Sequence, residues 1–215
     1  MDLSRDMEDT LKIVEILPEH APFMAELHMA GISTGFISSL GIDFVTALYE
    51  TIAQSKSSFG FVAQEANKIV GFVAFTTDIS KLYRSVVLRK GLRFVTLLAG
   101  KMLSLQRLKK ALETLFYPSR IKKMALPKAE LLSIAVAEEH QGKGVGLALM
   151  ERGLKECVRR KIEKVKVLVG AQKERANKLY LKCGFDLVGQ IENHGVLSNI
   201  YVAETGKKEV DGKTC

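Results

Sequence analysis

The sequence predicts a single α/β domain, a mixed central sheet flanked by helices on both faces, with a basic helical insertion ahead of the central strand. Three observations predict it. Strand-like and helix-like periodicities alternate along the chain, which is the pattern of a layered α/β unit. A glycine-dense junction, Gln141-Gly142-Lys143-Gly144-Val145-Gly146, joins a short apolar run to an amphipathic helical one. The 215 residues, 47% apolar and 26% charged, suffice for one core of ordinary composition.

The elements follow in order. Leu11 to Leu17 alternates loosely and stops at Pro18, which suits a first strand. Glu19 to Met29 reads as a helix closed by Gly31. Ile42 to Ala53 reads as a second, with Ile42, Val45, Leu48, Tyr49 and Ile52 at helical spacing. Phe59 to Glu65 and Lys68 to Thr77 form a hairpin across Ala66-Asn67. A leucine-rich stripe from Leu92 to Leu115 predicts an amphipathic helix that ends near Tyr117-Pro118. Leu131 to Val136 is a compact apolar strand, and Val145 to Arg160 a helix. Val165 to Val169 is a strand, Lys173 to Lys182 a short helix stopped by Gly184, and Phe185 to Ile191 with Val196 to Val202 a last hairpin. Residues 1–10 are expected to be a flexible start, 11–203 the domain, and 204–215 a flexible tail.

Charge is unevenly placed. Between Ile79 and Pro127 twelve basic residues face one acid, Glu113, a net +11 that leaves the remainder at −3 of the overall +8. That asymmetry asks for an anionic partner: a phosphorylated ligand, an acidic substrate or a membrane surface. For the insertion, residues 79–127, the roles of lid, homodimer interface and peripheral membrane contact stay open, beside plain packing with a solvated basic face. Cys157, Cys183 and Cys215 are odd in number and lack C-x-x-C spacing, which argues against a disulfide framework or a zinc site and for a cytoplasmic setting. Met1 to Thr10 does not read as a signal peptide, and no run approaches the roughly 18 apolar residues of a membrane span.

The glycine junction is an anion cradle by construction. Backbone N–H groups approach a ligand without Cβ obstruction, and the following helix adds the positive end of its dipole. A Walker A loop is excluded because Gly142-Lys143 is followed by Gly144 and has no glycine five residues before it. A dinucleotide fingerprint is excluded because Leu147 stands where its third glycine belongs. The pattern that fits is [Q/R]-x-x-G-x-[G/A], met by Gln141, Gly144 and Gly146. About thirty residues on comes Arg175-Ala176-Asn177-Lys178-Leu179-Tyr180-Leu181-Lys182-Cys183-Gly184-Phe185, with Asn177 and Tyr180 on one side of a helix and Gly184 as its αL stop.

Together these segments resemble motifs A and B of the GNAT superfamily of N-acetyltransferases, over roughly Glu130 to Val202. The resemblance implies a GNAT-like domain with acetyl-CoA as co-substrate and no metal. It implies that Gln141, Gly142, Lys143, Gly144, Val145 and Gly146 hold the pyrophosphate of coenzyme A. Ile134, Ala135 and Val136 on the central strand would offer main-chain contacts to the pantetheine, and Asn177 a side-chain contact. Tyr180 would protonate the departing thiolate. Glu130, which opens the central strand, resembles the glutamate that acts as base in the histone-type branch; an exposed strand-end carboxylate is the plainer reading.

Among its rivals, His194 tips the last hairpin, His140 sits in the glycine loop and is expected to be solvated, and His28 is expected to cap the first helix. The resemblance thus implies direct acetyl transfer to a primary amine, on a small molecule or amino sugar, with nucleic acid an unexpected partner. The alternative is a non-catalytic acyl-CoA sensor or a module for anionic ligands or membrane surfaces. The insertion is longer than the family's usual link at that place, which leaves the acceptor open.

Overall fold

The computed structural model describes residues 11–33, 35–86, 125–193 and 195–206. Among them seven strands form one sheet: β1 (Leu11–Glu15), β2 (Ser58–Glu65), β3 (Lys68–Thr76), β4 (Ala129–Val136), β5 (Lys164–Gly170), β6 (Asp186–Asn193) and β7 (Val196–Glu204). Their spatial order is β1-β2-β3-β4-β5-β7-β6. Neighbours are antiparallel except β4 and β5, which run parallel. The helices are α1 (Ala21–Gly31), α2 (Phe36–Ser39), α3 (Ile42–Gln54), α4 (Val145–Arg159) and α5 (Glu174–Lys182).

The predicted mixed sheet with helices on both faces is the observed one. Ala66 and Asn67 both take positive φ, 47° and 64°, as the tight turn of a two-residue hairpin demands. Helix α1 runs through Gly31 and is closed at Ile32, whose N–H bonds the His28 carbonyl. Helix α2 is too short, four residues, to leave a periodicity in the sequence. At the far end the Thr205 N–H donates to the Glu163 carbonyl. Cys157 is a buried free thiol, whereas Cys183 is disulfide-bonded.

Two apolar layers sandwich the sheet. One seats α4 and α5 through Val145, Leu149, Met150, Cys157 and Tyr180 against Phe75, Leu131 and Val167. A Cβ on Gly153 would lie 2.3 Å from the Phe75 ring, so glycine sets how closely α4 rests on β3. Glu156 on that helix is buried, and hydrogen bonds from Arg159, then Arg160, hold its carboxyl down at about 2 against the opposing effect of burial. The other layer seats α1 and α3 through Met24, Ala25, Val45, Tyr49 and Ile52 against Val62, Phe72 and Ala135.

The insertion leaves the domain where β3 ends and returns where β4 begins. The Ile79 N–H bonds the Lys128 carbonyl, joining the two ends. Asp78 caps the helical residues 79–86 by accepting from the Ser80 and Lys81 N–H groups. The rest of the insertion, 87–124, with the whole of the leucine stripe from Leu92 to Leu115, lies outside the described residues. Among the described residues no helix is long and apolar enough to cross a membrane.

The α1/α3 layer contains one polar thread. His28 is buried, and its Nδ1 and Nε2 lie 2.7 Å from the Tyr49 hydroxyl and 3.1 Å from Ser38 Oγ. The ring is thus tied into the core, which corrects the expectation that it caps α1. Burial lowers its pKa from 6.5 to about 4. Between those values the unfolded chain holds a proton that the folded one refuses, so stability is lost as pH falls from 6.5 to about 4. The loss amounts to about 3 kcal/mol. Urea unfolding of wild type and His28→Gln across that range should show this part of the pH slope vanish in the variant; identical slopes would contradict it.

Candidate active site at the splay of the central strands

The site begins with a fault in the sheet. Strand β4 pairs with β5 only at Ala129↔Val165, Glu130↔Lys166 and Leu131↔Val167. Beyond that, β5 stays in register with β7 as far as Gly170, while β4 stays with β3 as far as Val136. Its ladder to β3 slips once: Phe75 faces Leu131 and Ala74 faces Ser133, leaving Leu132 as an extra, bulged residue. A bulge bends and further twists its strand. From Leu132 to Val136 the edge of β4 that faces β5 therefore carries backbone N–H and C=O groups without a strand partner. Ile134 and Val136 turn their backbone groups to this edge; Ala135, which alternates with them, pairs across to Phe72 of β3.

The glycine loop closes the mouth of the opening. A 3-10 turn at Glu138–His140 leads into Gln141, and Gly144 is the N-cap of α4 with φ 85°. Gly142 has φ 78°, and a Cβ on either glycine would meet nothing within 4 Å. Positive φ calls for glycine, and the space above the loop is open. No side chain caps α4, so its first-turn N–H groups face that space with the helix dipole behind them.

Gln141 fastens the loop at both sides: its Nε2 donates to the Val136 carbonyl at 3.0 Å, and Arg175 Nη1 donates to its Oε1 at 2.7 Å. Lys143 and Arg175 are exposed cations at the same mouth. Val145 is buried beneath, and Gly146 lies against Leu179 and Val136. The strand edge, open glycine cradle and paired cations fit an extended ligand with an anionic end, as coenzyme A is.

Helix α5 packs beside the loop. The Asn177 Nδ2 donates to the carbonyls of Gly170 at 3.1 Å and Lys173 at 2.7 Å. Its Oδ1 accepts from Asn199 at 2.7 Å and Tyr201 at 2.9 Å. This buried amide joins α5 to the end of β5 and the middle of β7, and a contact to a ligand through it would displace one of these bonds. Tyr180 is 4% exposed, tilted against Phe185 and Tyr201. Burial pushes its hydroxyl above the ordinary tyrosine range, so it carries its proton at neutral pH. That hydroxyl has no partner among the described residues and is not sealed from solvent.

Glu130 lies in the paired part of β4, two residues before the bulge. It is buried and ion-paired to Lys166 Nζ at 3.1 Å, so it is no exposed strand-end carboxylate. Lys166, fully buried, also donates to the Pro127 carbonyl at 2.6 Å. His140 is bonded through Nε2 to Glu65 Oε2 at 2.7 Å with its side chain 16% exposed, which corrects the expectation of a solvated ring. His194 lies outside the described residues. Among the described residues there is no group of three or more His, Cys, Asp or Glu able to hold a metal ion. Sequence reasoning missed Ser133, whose Oγ lies 2.7 Å from the Tyr49 hydroxyl. No local signal marks a pair 84 positions apart.

Comparison of the sequence with curated proteins gives no match. Solved structures share the fold. The ribosomal-protein-S18-alanine N-acetyltransferase of Escherichia coli aligns over 94% of this chain and 98% of its own, with TM-score 0.59 and 14% identity. An N-acetyltransferase from Staphylococcus aureus Mu50 aligns over 92% and 99%, with TM-score 0.61 and 16% identity. A protein from Salmonella typhimurium, solved with its cofactor acetyl-CoA, aligns over 95% and 99%, with TM-score 0.60 and 15% identity. The family model described as Acetyltransferase (GNAT) family matches residues 31–185, which include the bulged strand, the glycine loop and α5. The chain therefore belongs to the acetyltransferase (GNAT) family, whose members are acetyl-CoA-dependent N-acetyltransferases.

Proposed function

We propose that this N-acetyltransferase moves the acetyl group from acetyl-CoA to a primary amine of a small molecule, an amino sugar among the candidates, by direct attack without a covalent enzyme intermediate. The observation that carries this reading is the splay of β4 from β5 with the open glycine loop at its mouth. Bound there, acetyl-CoA supplies an acetyl thioester as the electrophile. The N–H groups of Gly142 to Gly146 and the cations of Lys143 and Arg175 hold the pyrophosphate. The free edge, through the backbone of Ile134 and Val136, hydrogen-bonds the pantetheine as a missing strand would, with Ala135 between them held to β3. Asn177 sets where α5 stands, and with it where Tyr180 stands.

Tyr180, protonated and not sealed from solvent, donates its proton to the departing sulfur. Glu130 takes the amine's proton through an intervening water, from the sheet face covered by α1 and α3. Lys166 keeps that carboxylate in place. The basic insertion is the element we assign to the acceptor's anionic part or to a peripheral membrane contact.

Calorimetric titration with acetyl-CoA tests the donor site. Gly144→Asp forces a side chain at φ 85° and places a negative charge against the phosphates, and should weaken binding by about 100-fold or more. Unchanged affinity would remove the loop from the site. Tyr180→Phe should lower kcat by about 100-fold with little change in the KM for acetyl-CoA. Thiol release at the wild-type rate would deny Tyr180 its role as acid. Tight acetyl-CoA binding without turnover on any amine would mark a sensor instead of an enzyme.

A further inference from the structure

The polar thread through the α1/α3 layer has a direction that its hydrogen counts determine. Ser38 Oγ has one proton, and the Ile32 carbonyl beside it only accepts, so Ser38 donates to Ile32. Its oxygen is then left to accept, and the partner that donates to it is His28 Nε2, 3.1 Å away. Burial keeps the His28 ring neutral at physiological pH, so with its proton on Nε2 the Nδ1 atom is an acceptor. Tyr49 is also buried, with its hydroxyl pushed above the ordinary range, and donates to that Nδ1 at 2.7 Å. The Tyr49 oxygen in turn accepts from Ser133 Oγ at 2.7 Å. Every proton in the chain Ser133–Tyr49–His28–Ser38–Ile32 points away from the sheet.

Ser133 is thereby left with lone pairs and no proton to offer. It is the residue after the bulged Leu132, among the first to lose its neighbour on β5. Its side chain is half-buried on the face opposite α4, while Tyr49, His28 and Ser38 lie deeper. We infer that Ser133 Oγ is a positioning group for the acceptor substrate: a hydrogen-bond acceptor, fixed in that role by Tyr49 and His28, that holds the attacking amine through one of its N–H bonds. The inference rests on the acetyl-transfer reading above and deepens it by assigning what selects the nucleophile. An N–H donor is held at the splay; a substrate that offers only carbonyl or ether oxygens there gains nothing. No covalent step passes through Ser133, and the thread itself carries no proton.

The experiment has an activity arm and a spectroscopic arm. In thiol-release kinetics with an amine the wild type accepts, Ser133→Ala should raise the KM for the amine about tenfold, the scale of one hydrogen bond to a charged or strongly polar donor. The kcat should stay within about twofold and the acetyl-CoA affinity should not change. Ser133→Thr, which retains the hydroxyl, should restore most of the loss. Tyr49→Phe, which frees the Ser133 proton to turn outward, should raise the same KM, and the double variant Ser133→Ala with Tyr49→Phe should be no worse than Ser133→Ala alone.

Long-range nitrogen–proton NMR correlation of wild type at neutral pH should place the His28 proton on Nε2. A proton on Nδ1 would reverse the thread and overturn the inference. So would an unaltered amine KM in Ser133→Ala, or a loss that appears equally in kcat and acetyl-CoA affinity. If the wild type turns over no amine at all, the acetyl-transfer reading fails and takes the role of Ser133 with it. An Nε2 proton would then show that the thread was correctly directed but serves another purpose.

Discussion

The rest of the site depends on where the ladder between β4 and β5 stops. Both strands continue past the last shared pair, Leu131 with Val167, but each is committed to a different neighbour. Strand β7 holds β5 in register to Gly170, and β3 holds β4 to Val136 across a bulge that bends it. A buried strand edge without hydrogen bonds is costly unless water or a ligand supplies them. The sheet tolerates the opening because it lies at the C-terminal ends of its two parallel strands, where solvent enters. In open α/β sheets that crevice is where ligands bind.

Each neighbouring feature follows from that opening. The β4–α4–β5 crossover must pass over it, and the glycine loop is the point where the chain leaves β4 and starts the helix. Gln141 bonds the last carbonyl of β4 and is itself held by Arg175 of α5, so loop, strand and helix form one rigid rim. Asn177 performs the corresponding task on the other rim, joining α5 to β5 and β7. The side chains nearest the opening are thus largely occupied in holding it, and the groups left for a ligand are mostly backbone. That is consistent with a site that binds a long cofactor by its shape and charge.

Much of this was legible in the sequence because the informative residues are local. The strand–glycine–helix junction is six consecutive residues, and its φ requirements write themselves as glycine. Asn177, Tyr180 and Gly184 lie within a single helix and its stop, so their spacing fixes their shared face. The hairpin turn at Ala66-Asn67 is equally local. The short helix α2 and the bulge at Leu132 leave no periodic trace and were not readable. The sequence misleads on the surroundings of His28 and His140 and leaves those of Glu130 open for one reason: exposure depends on partners far away in sequence. Glu130 finds Lys166, His28 finds Tyr49, and His140 finds Glu65, 75 positions distant. Pattern reasoning sees a polar residue at a strand or helix end; the packed structure decides whether water reaches it.

The unpaired edge of β4 and the glycine loop act as one donor site, and hydrogen–deuterium exchange with and without acetyl-CoA reads both segments at once. Binding should protect two segments together, 132–136 on the strand and 142–147 in the loop and first helical turn, and leave β1 and β6 unchanged. Protection of the loop without the strand, or of neither, would contradict the claim that the splay is the cofactor's seat.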